Sequence, residues 1–240
     1  MKTLVFAKRN LKELIRDPIS LIFSIGLPLF LIVIFQQFNI PSDVYKIENF
    51  GPSIIIFSYS FISLFTGLLV AKDRTTSFLT RLFSSPLSIL NYIVGYSIAI
   101  VPLAIVQSTL FLIVSSFYGL TLGINTIITI LLMIPISFLF VGFGILIGCA
   151  FNDKQAPGVA SLIIQFVAFT SGMWFDIDMI GNTFFKTLCN ILPFRYAVDI
   201  ARLSLNGNYN DMFKPFLIIF LFIIIVYALA ALIFKKQMRK

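Results

Sequence analysis

Six long apolar runs dominate the chain and restrict what it can fold into. A helical run of about 20 residues covers about 30 Å, the thickness of the hydrocarbon part of a bilayer. Hydrophobic residues make up 59% of the 240 residues and charged residues only 12%, more apolar surface than one soluble core could bury. We therefore predict an all-α membrane protein with six transmembrane helices. The predicted spans cover residues 19–38, 52–70, 92–117, 126–151, 158–174 and 216–234.

Two further segments have helical patterns but are not predicted to cross the membrane. Residues 1–17 combine apolar and basic residues at helical spacing, which predicts an amphipathic helix on an anionic membrane surface. The alternative is a simple basic tail that orients the chain. Residues 175–214 contain two short helical patterns that meet at Pro193, and neither is long enough to span. We interpret them as a re-entrant helical hairpin on the extracellular side, before the last span.

Basic residues are concentrated on one side of these predicted spans. That side holds 13 of the 18 basic and four of the ten acidic residues, a net charge of +9 against −1 on the other side. Cytoplasmic loops carry such an excess of Lys and Arg. We therefore expect a multi-pass protein of the cell membrane with both termini in the cytoplasm.

The residues that common enzymes and ion-coupled carriers use are missing from the sequence. There is no His, and the two cysteines, Cys149 and Cys189, are predicted near opposite membrane faces. The predicted spans contain essentially no ionisable side chain to load a proton or cation. No glycine-rich phosphate loop or nucleophile–base pair is visible either. We expect no metal site and no enzyme activity on this chain, so uphill transport would need an energy source on another polypeptide.

Residues 72–91 form the main positively charged interruption between two predicted spans. Apolar residues recur there at helical spacing after a threonine that could cap the helix, which predicts a short amphipathic helix on the cytoplasmic side. We hypothesise that this helix docks a partner, with Phe78, Leu82 and Phe83 as anchors. The alternative is that the loop lies on lipid headgroups, with Asp73 and Arg74 acting as a helix cap and a positive-inside signal.

Two motifs resemble those of the membrane subunits of type-2 ABC transporters, the small six-span exporter permeases. Residues 73–86 (DRTTSFLTRLFSSP) are similar to the family's acid-basic-x-x-Gly-Thr pattern with a Ser/Thr-Pro ending, although Thr76 and Ser77 replace its Gly and Thr. Residues 193–202 (PFRYAVDIAR) are similar to its N-P-x-x-Y-x-x-acid-x-x-R element, with Leu192 in place of the polar residue. The resemblance covers the whole chain, 1–240, as one transmembrane domain.

The resemblance implies partners and site residues. It implies a dimer of permeases, here a homodimer, with two cytosolic ABC ATPases that hold ATP and magnesium. The ATPase-coupling residues would be Asp73, Arg74, Thr75, Phe78, Leu79, Arg81, Leu82 and Phe83. The hairpin motif would be Pro193, Tyr196, Asp199 and Arg202. The substrate path would be lined by the first, second and fifth spans, with Phe30, Gln36, Phe57, Tyr59, Phe61, Phe65, Gln165, Phe169 and Met173 as candidates.

Some of these residues also have a structural interpretation. Arg195, Asp199 and Arg202 share one helical face, which favours a local ion-pair ladder over direct substrate contact. Any aromatic candidate could equally face lipid or the core, since the chain has 28 Phe. The expected function is ATP-driven export, by alternating access, of a hydrophobic or amphipathic drug, antibiotic or lipid-like compound. The alternatives are polysaccharide or lipid-linked polymer cargo, an ATP-independent channel or scramblase, and a non-transporting scaffold.

Overall fold

A computed structural model describes residues 2–38, 40–75 and 89–237. In this part of the chain nine helices follow one another and no β-strand occurs. The helices are α1 (Lys2–Ile15), α2 (Pro18–Gln37), α3 (Ile47–Thr75), α4 (Ile89–Ser116), α5 (Ile124–Ala150), α6 (Ala156–Thr170), α7 (Thr183–Ile191), α8 (Pro193–Leu205) and α9 (Phe213–Gln237). The predicted all-α class is therefore confirmed.

Five of these helices are long and apolar enough to cross a membrane, namely α2, α3, α4, α5 and α9. The fifth predicted span, 158–174, corresponds to α6, which has only 15 residues and ends at Thr170. The backbone leaves the helix there, and Gly172 adopts a φ of 73°, a left-handed conformation that favours glycine. By helix length, the chain thus has five candidate spans and one shorter apolar helix.

The central helix of the bundle is α3. In the most apolar 18-residue stretch of α3, 89% is buried inside the protein, whereas in that of α9 only 17% is buried. Helices α2, α4, α5, α6 and α8 all pack against α3, and α9 packs on the outside against α5. Most of α9 is therefore left uncovered by the rest of the chain, and α3 lies at the centre of the bundle.

Two glycines of α5 allow it to approach α3 closely. A Cβ atom on Gly144 would lie 2.6 Å from the carbonyl oxygen of Ser63, and one on Gly148 would lie 2.6 Å from that of Gly67. These distances are too short for any side chain, so both positions require glycine. Small residues at an interval of four are a common way for membrane helices to pack backbone against backbone.

The N-terminal helix α1 packs against α4. The Phe6 ring makes edge-to-face contacts with the rings of Tyr92 and Tyr96, which contribute about 0.5–1.5 kcal/mol each beyond area burial. Leu4 and Val5 are exposed on another side of α1. The helix thus has one apolar surface on the protein and another available to a membrane surface.

The two short helices predicted in residues 175–214 are present as α7 and α8. They meet at Leu192 and Pro193, and Pro193 occupies the first turn of α8, where its missing N–H leaves no helical hydrogen bond unmade. Two short helices are thus observed, while their arrangement as a re-entrant hairpin on the extracellular side stays a prediction.

Candidate functional site

A buried carboxylate cluster joins three helices at one end of the bundle. Asp73 of α3 is 1% exposed. Its two carboxylate oxygens accept hydrogen bonds from the Arg9 guanidinium at 2.6 and 2.8 Å, and the Tyr96 hydroxyl donates a third at 2.8 Å. We call Arg9, Asp73 and Tyr96 the Asp73 cluster. It ties α1 and α4 to the end of α3 with charge-assisted hydrogen bonds, which are stronger than neutral ones.

The cluster extends to the surface through a second carboxylate. Glu13 of α1 forms ion pairs with Arg9 at 2.7 Å and with Lys72 at 3.2 Å. Lys72 precedes Asp73 in α3, so two consecutive residues of this helix are linked to α1 by side-chain contacts. A movement of this end of α3 would consequently move α1 as well.

The next residue of α3 binds a different helix. Nη1 of Arg74 donates to the carbonyl oxygens of Gly148, at 2.6 Å, and of Cys149 and Phe151 at the end of α5. The last carbonyl groups of a helix have no partner within it, and a basic side chain satisfies them well. Arg74 therefore caps α5 as Asp73 anchors α1 and α4.

These positions differ from the expected coupling loop of residues 72–91. Asp73, Arg74 and Thr75 lie in α3, and the Thr75 hydroxyl donates to the Lys72 carbonyl at 3.1 Å. The expectation that Asp73 and Arg74 belong to a loop is thus wrong, because both find buried partners that extend the helix. The remaining coupling candidates, Phe78, Leu79, Arg81, Leu82 and Phe83, lie outside the described residues, so their roles stay predictions.

Part of the predicted substrate path is a stripe of aromatic rings on α3. Phe57, Phe61 and Phe65 lie on one face, with neighbouring ring centroids 5.5 and 6.5 Å apart, and each is 7% exposed. We call these three residues the aromatic stripe. Phe30 of α2 and Phe169 of α6, two helices that pack on α3, are both 61% exposed. The exposed Gln165 lies on α6 as well.

The other candidates of the path have structural partners. The Tyr59 hydroxyl donates to the Ala104 carbonyl at 3.1 Å and lies 2.6 Å from the Ser108 hydroxyl. Tyr59 is two residues after Phe57, about 200° further around the helix, and therefore faces α4 instead of the stripe. Gln36 donates to the Tyr45 carbonyl at 2.9 Å, and Met173 is fully buried. These contacts give Tyr59, Gln36 and Met173 structural roles, and their part in a path stays a prediction.

Ion pairs connect the hairpin to the turn before it. Asp178 pairs with Arg195 at 2.7 Å and with Lys186 at 3.0 Å. The hydrogen bond from Lys186, followed by that from Arg195, lowers the pKa of Asp178 below its ordinary value. Tyr196 of the hairpin motif donates from its hydroxyl to the Asn190 carbonyl at 2.8 Å. These contacts hold α7 and α8 together at the exposed end of the hairpin.

Arg202 does not continue an ion-pair ladder along α8. Asp199 lies 3.8 Å from Arg195, and its burial raises the pKa of its carboxyl group. Arg202 instead donates to the Asn49 carbonyl at 3.2 Å, the Ser53 hydroxyl at 2.9 Å and the Gly172 carbonyl at 3.0 Å. The ladder interpretation is therefore wrong for Arg202, which joins α8 to the start of α3 and to the turn after α6.

The fold and these contacts define a class: a multi-pass helical membrane protein whose central helix is anchored by charged residues near both of its ends. The chain belongs to the ABC-2 type transporter family, whose model matches residues 1–206. It is also 24% identical over 199 residues to ABC transporter G family member 20 of Dictyostelium discoideum. That match covers 80% of this chain and 27% of the relative. The resemblance to type-2 ABC membrane subunits is confirmed, and this chain spans about a quarter of the relative's length.

Proposed function

We propose that the chain is the membrane-spanning permease subunit of an ATP-driven exporter. Its cargo would be a hydrophobic or amphipathic compound, such as a drug, an antibiotic or a lipid-like molecule, moved outward by alternating access. Membership of the ABC-2 family supports the transporter class. The observation that carries the proposal further is the Asp73 cluster, because it lies in the first residues of the predicted coupling loop 72–91, directly before the helix predicted to contact an ATPase.

The Asp73 cluster gives the proposed coupling a physical route. Two cytosolic ABC ATPases would bind ATP and magnesium, and each would seat the predicted helix Thr75–Phe83 of one permease. A displacement of that helix would act on the end of α3. Through Asp73 it would reach α1 and α4, and through Arg74 it would reach α5. Short charge-assisted hydrogen bonds suit this role because they resist stretching.

The proposed topology has six spans, with α6 as the short fifth one. At about 1.5 Å per residue its 15 residues cover about 22 Å. The buried residues Ser171, Gly172 and Met173 would complete the crossing, because irregular backbone at membrane depth is tolerated where protein surrounds it. The hydrogen bond from Arg202 to the Gly172 carbonyl supports this arrangement. The basic residues would then place both termini in the cytoplasm of a cell membrane.

The proposed path runs along the aromatic stripe of α3, between α2 and α6. In a homodimer Phe30 of one copy would face Phe169 of the other, and the stripe, which is almost covered within one chain, would open to the path when α2 and α6 move apart. Such a surface is apolar and aromatic, and Gln165 adds one hydrogen-bonding group. This composition supports a hydrophobic or amphipathic cargo.

Co-purification in mild detergent tests the proposal. We expect the tagged protein to bring down a stoichiometric ATP-hydrolysing partner. In the double variant Phe78→Glu/Leu82→Glu this partner and transport should both be lost, because two apolar anchors become charged. The matched control, Ser84→Glu/Ser85→Glu, adds the same charge to the same segment and should keep the partner. A homo-oligomer without any ATPase would favour a passive carrier or a scaffold instead.

A further inference from the structure

A cavity of about 740 Å³ opens where α1, α2 and α3 meet. The apolar part of its lining, which we call the inner wall, includes Leu14, Phe65, Leu68 and Leu69. The charged part, which we call the mouth, consists of Glu13, Arg16, Asp17, Lys72 and Asp153. We call it the elbow cavity, since it lies at the junction between α1 and α2. Lys72 and Thr75, which flank the Asp73 cluster in sequence, also border it.

The charged and apolar residues of the elbow cavity are separated along α3. Lys72 at its mouth and Phe65 in its wall are seven residues apart on α3, about 10 Å along the helix axis. The amphipathic helix α1 ends beside the mouth, and Pro18 begins the apolar helix α2 there. If the mouth lies at the level of the headgroups, the inner wall lies at the level of the first acyl carbons.

The mouth of the elbow cavity carries both signs of charge. Two basic and three acidic residues border it, so its net charge is −1, although the whole chain carries +8. Glu13 is already paired with Arg9 and Lys72, and Asp17 accepts hydrogen bonds from Ser20 at the start of α2. Within the described residues, the side chains of Arg16 and Asp153 make neither hydrogen bonds nor ion pairs. A negative and a positive ligand group could therefore each find a partner here.

We propose that the elbow cavity binds a membrane phospholipid with a zwitterionic, primary-ammonium headgroup, of the phosphatidylethanolamine kind. The lipid phosphate accepts hydrogen bonds from the Arg16 guanidinium, for which phosphate is a well-matched acceptor. The ammonium group donates to the Asp153 carboxylate, which a trimethylammonium group cannot do. One acyl chain lies against Phe65 and Leu69. A lipid with net negative charge is disfavoured, because the mouth itself is net negative.

This lipid is a resident part of the protein, and the inference does not depend on the proposed cargo or ATPase. Phe65 belongs to both the elbow cavity and the aromatic stripe, so the bound acyl chain borders the cytoplasmic end of the proposed path. The lipid would fill a space that α1, α2 and α3 leave open and would support the angle between α1 and α2.

Lipid retention by the full-length protein tests the inference. The protein is exchanged into nanodiscs with equal amounts of phosphatidylethanolamine, phosphatidylcholine and phosphatidylglycerol, then extracted and analysed by native mass spectrometry. We expect phosphatidylethanolamine to be retained preferentially. Arg16→Gln should weaken this retention about tenfold, the effect of losing about 1.4 kcal/mol of binding energy. Lys8→Gln, which removes the same charge from α1 at a residue that does not line the cavity, should change nothing.

Two further variants separate the headgroup from the acyl chain. Asp153→Asn should abolish the preference for phosphatidylethanolamine over phosphatidylcholine without reducing total phospholipid. Leu69→Trp should reduce all three lipids, because the larger side chain fills the inner wall while leaving every charge in place. Equal retention of the three lipids by the unaltered protein, or equal effects of Arg16→Gln and Lys8→Gln, would overturn the inference. None of these substitutions lies in the helix predicted to dock the ATPase, so the variants should still co-purify with the ATPase whether or not the lipid site exists. A failure of the lipid inference is therefore distinguishable from a failure of the proposed function.

Discussion

Gln107 supplies a hydrogen bond that Pro28 cannot make. In a regular α-helix the carbonyl of Ser24 accepts a hydrogen bond from the N–H of residue 28, but proline has none. Nε2 of Gln107, a buried residue of α4, donates to that carbonyl at 3.3 Å. Just before Pro28, α2 winds as a π-helix from Ile22 to Gly26, a wide turn often found at functional positions. The shape of α2 thus depends on a side chain of a neighbouring helix.

This interpretation predicts that the effects of changing Gln107 and Pro28 are coupled. Gln107→Leu should lower the free energy of unfolding by about 1–3 kcal/mol, because the Ser24 carbonyl loses a donor. In the Pro28→Ala background the N–H of Ala can donate to the Ser24 carbonyl. Gln107→Leu should then lower the free energy of unfolding by about 1 kcal/mol or less. SDS titration of the purified protein in mixed micelles measures both values.

A control substitution and one outcome decide whether this coupling exists. Gln165→Leu removes an exposed glutamine from α6 and should leave stability unchanged. An equal cost of Gln107→Leu with and without Pro28 would mean that Gln107 does not replace the missing backbone donor. Its role would then be limited to filling space between α2 and α4.

The contacts of α1 with α3 and α4 depend on one carboxylate. Asp73→Asn keeps the size of the side chain but removes the charge that Arg9 and Tyr96 contact. Removing one partner of a buried pair costs about 3–5 kcal/mol, and we expect about 2–3 kcal/mol here because Arg9 is partly exposed. The loss should be local, so amide hydrogen exchange should accelerate in α1 and at the end of α3 more than in α9.

An exposed ion pair provides the matched control for this prediction. Asp43 pairs with Lys46 at 2.6 Å, but their side chains are 82% and 66% exposed, and such surface pairs contribute about 0–1 kcal/mol. Asp43→Asn should consequently leave exchange in α1 unchanged. If Asp73→Asn also leaves α1 as protected as in the unaltered protein, the packing of Phe6 holds this helix, and the Asp73 cluster is not the link to α3.

The sequence predicted which segments are helical better than it predicted the contacts of their charged residues. Apolar run length and proline positions located α2 to α9 to within about five residues at each end, the largest differences being at the two ends of α3. The burial of Asp73 could not be predicted, because its partner Arg9 lies 64 positions away and its neighbours Lys72 and Arg74 suggest a solvated loop. The contacts of Arg202 were predicted wrongly for a related reason. Its spacing to Asp199 fits an ion pair, but its observed partners are backbone and hydroxyl groups in other parts of the chain.

At the scale of the whole molecule, sequence does not distinguish lipid-facing from protein-facing aromatic residues. Lipid tails are as apolar as leucine, so a transmembrane helix can be apolar on every side. Tyr59 and Phe57 are equally plausible path residues by composition, but only Phe57 lies on the aromatic stripe. The interval of four between Gly144 and Gly148 of α5 is a sequence signal of close helix packing, but it does not identify α3 as the partner.

The arrangement of exposed surfaces leads to a prediction about assembly. The aromatic stripe is almost covered within one chain, whereas Phe30 and Phe169 on the flanking helices are largely exposed. If two chains related by a two-fold axis meet along α2 and α6, Phe30 of one chain lies near Phe169 of the other, because such an interface pairs residue i with j and j with i. Cysteines at both positions would then lie within the roughly 7 Å between Cα atoms that a disulfide allows. The double variant Phe30→Cys/Phe169→Cys should therefore give covalent dimers on mild oxidation of membranes.

The natural cysteines need not be removed for this experiment, since Cys149 and Cys189 are both buried. Leu221→Cys is the control, because Leu221 is also exposed but lies on α9, on the outside of the bundle. It should remain monomeric under the same oxidation. Cross-linking at Leu221 but not in the Phe30→Cys/Phe169→Cys variant would place the contact between copies on α9. The proposed path along α3 would then have to be abandoned.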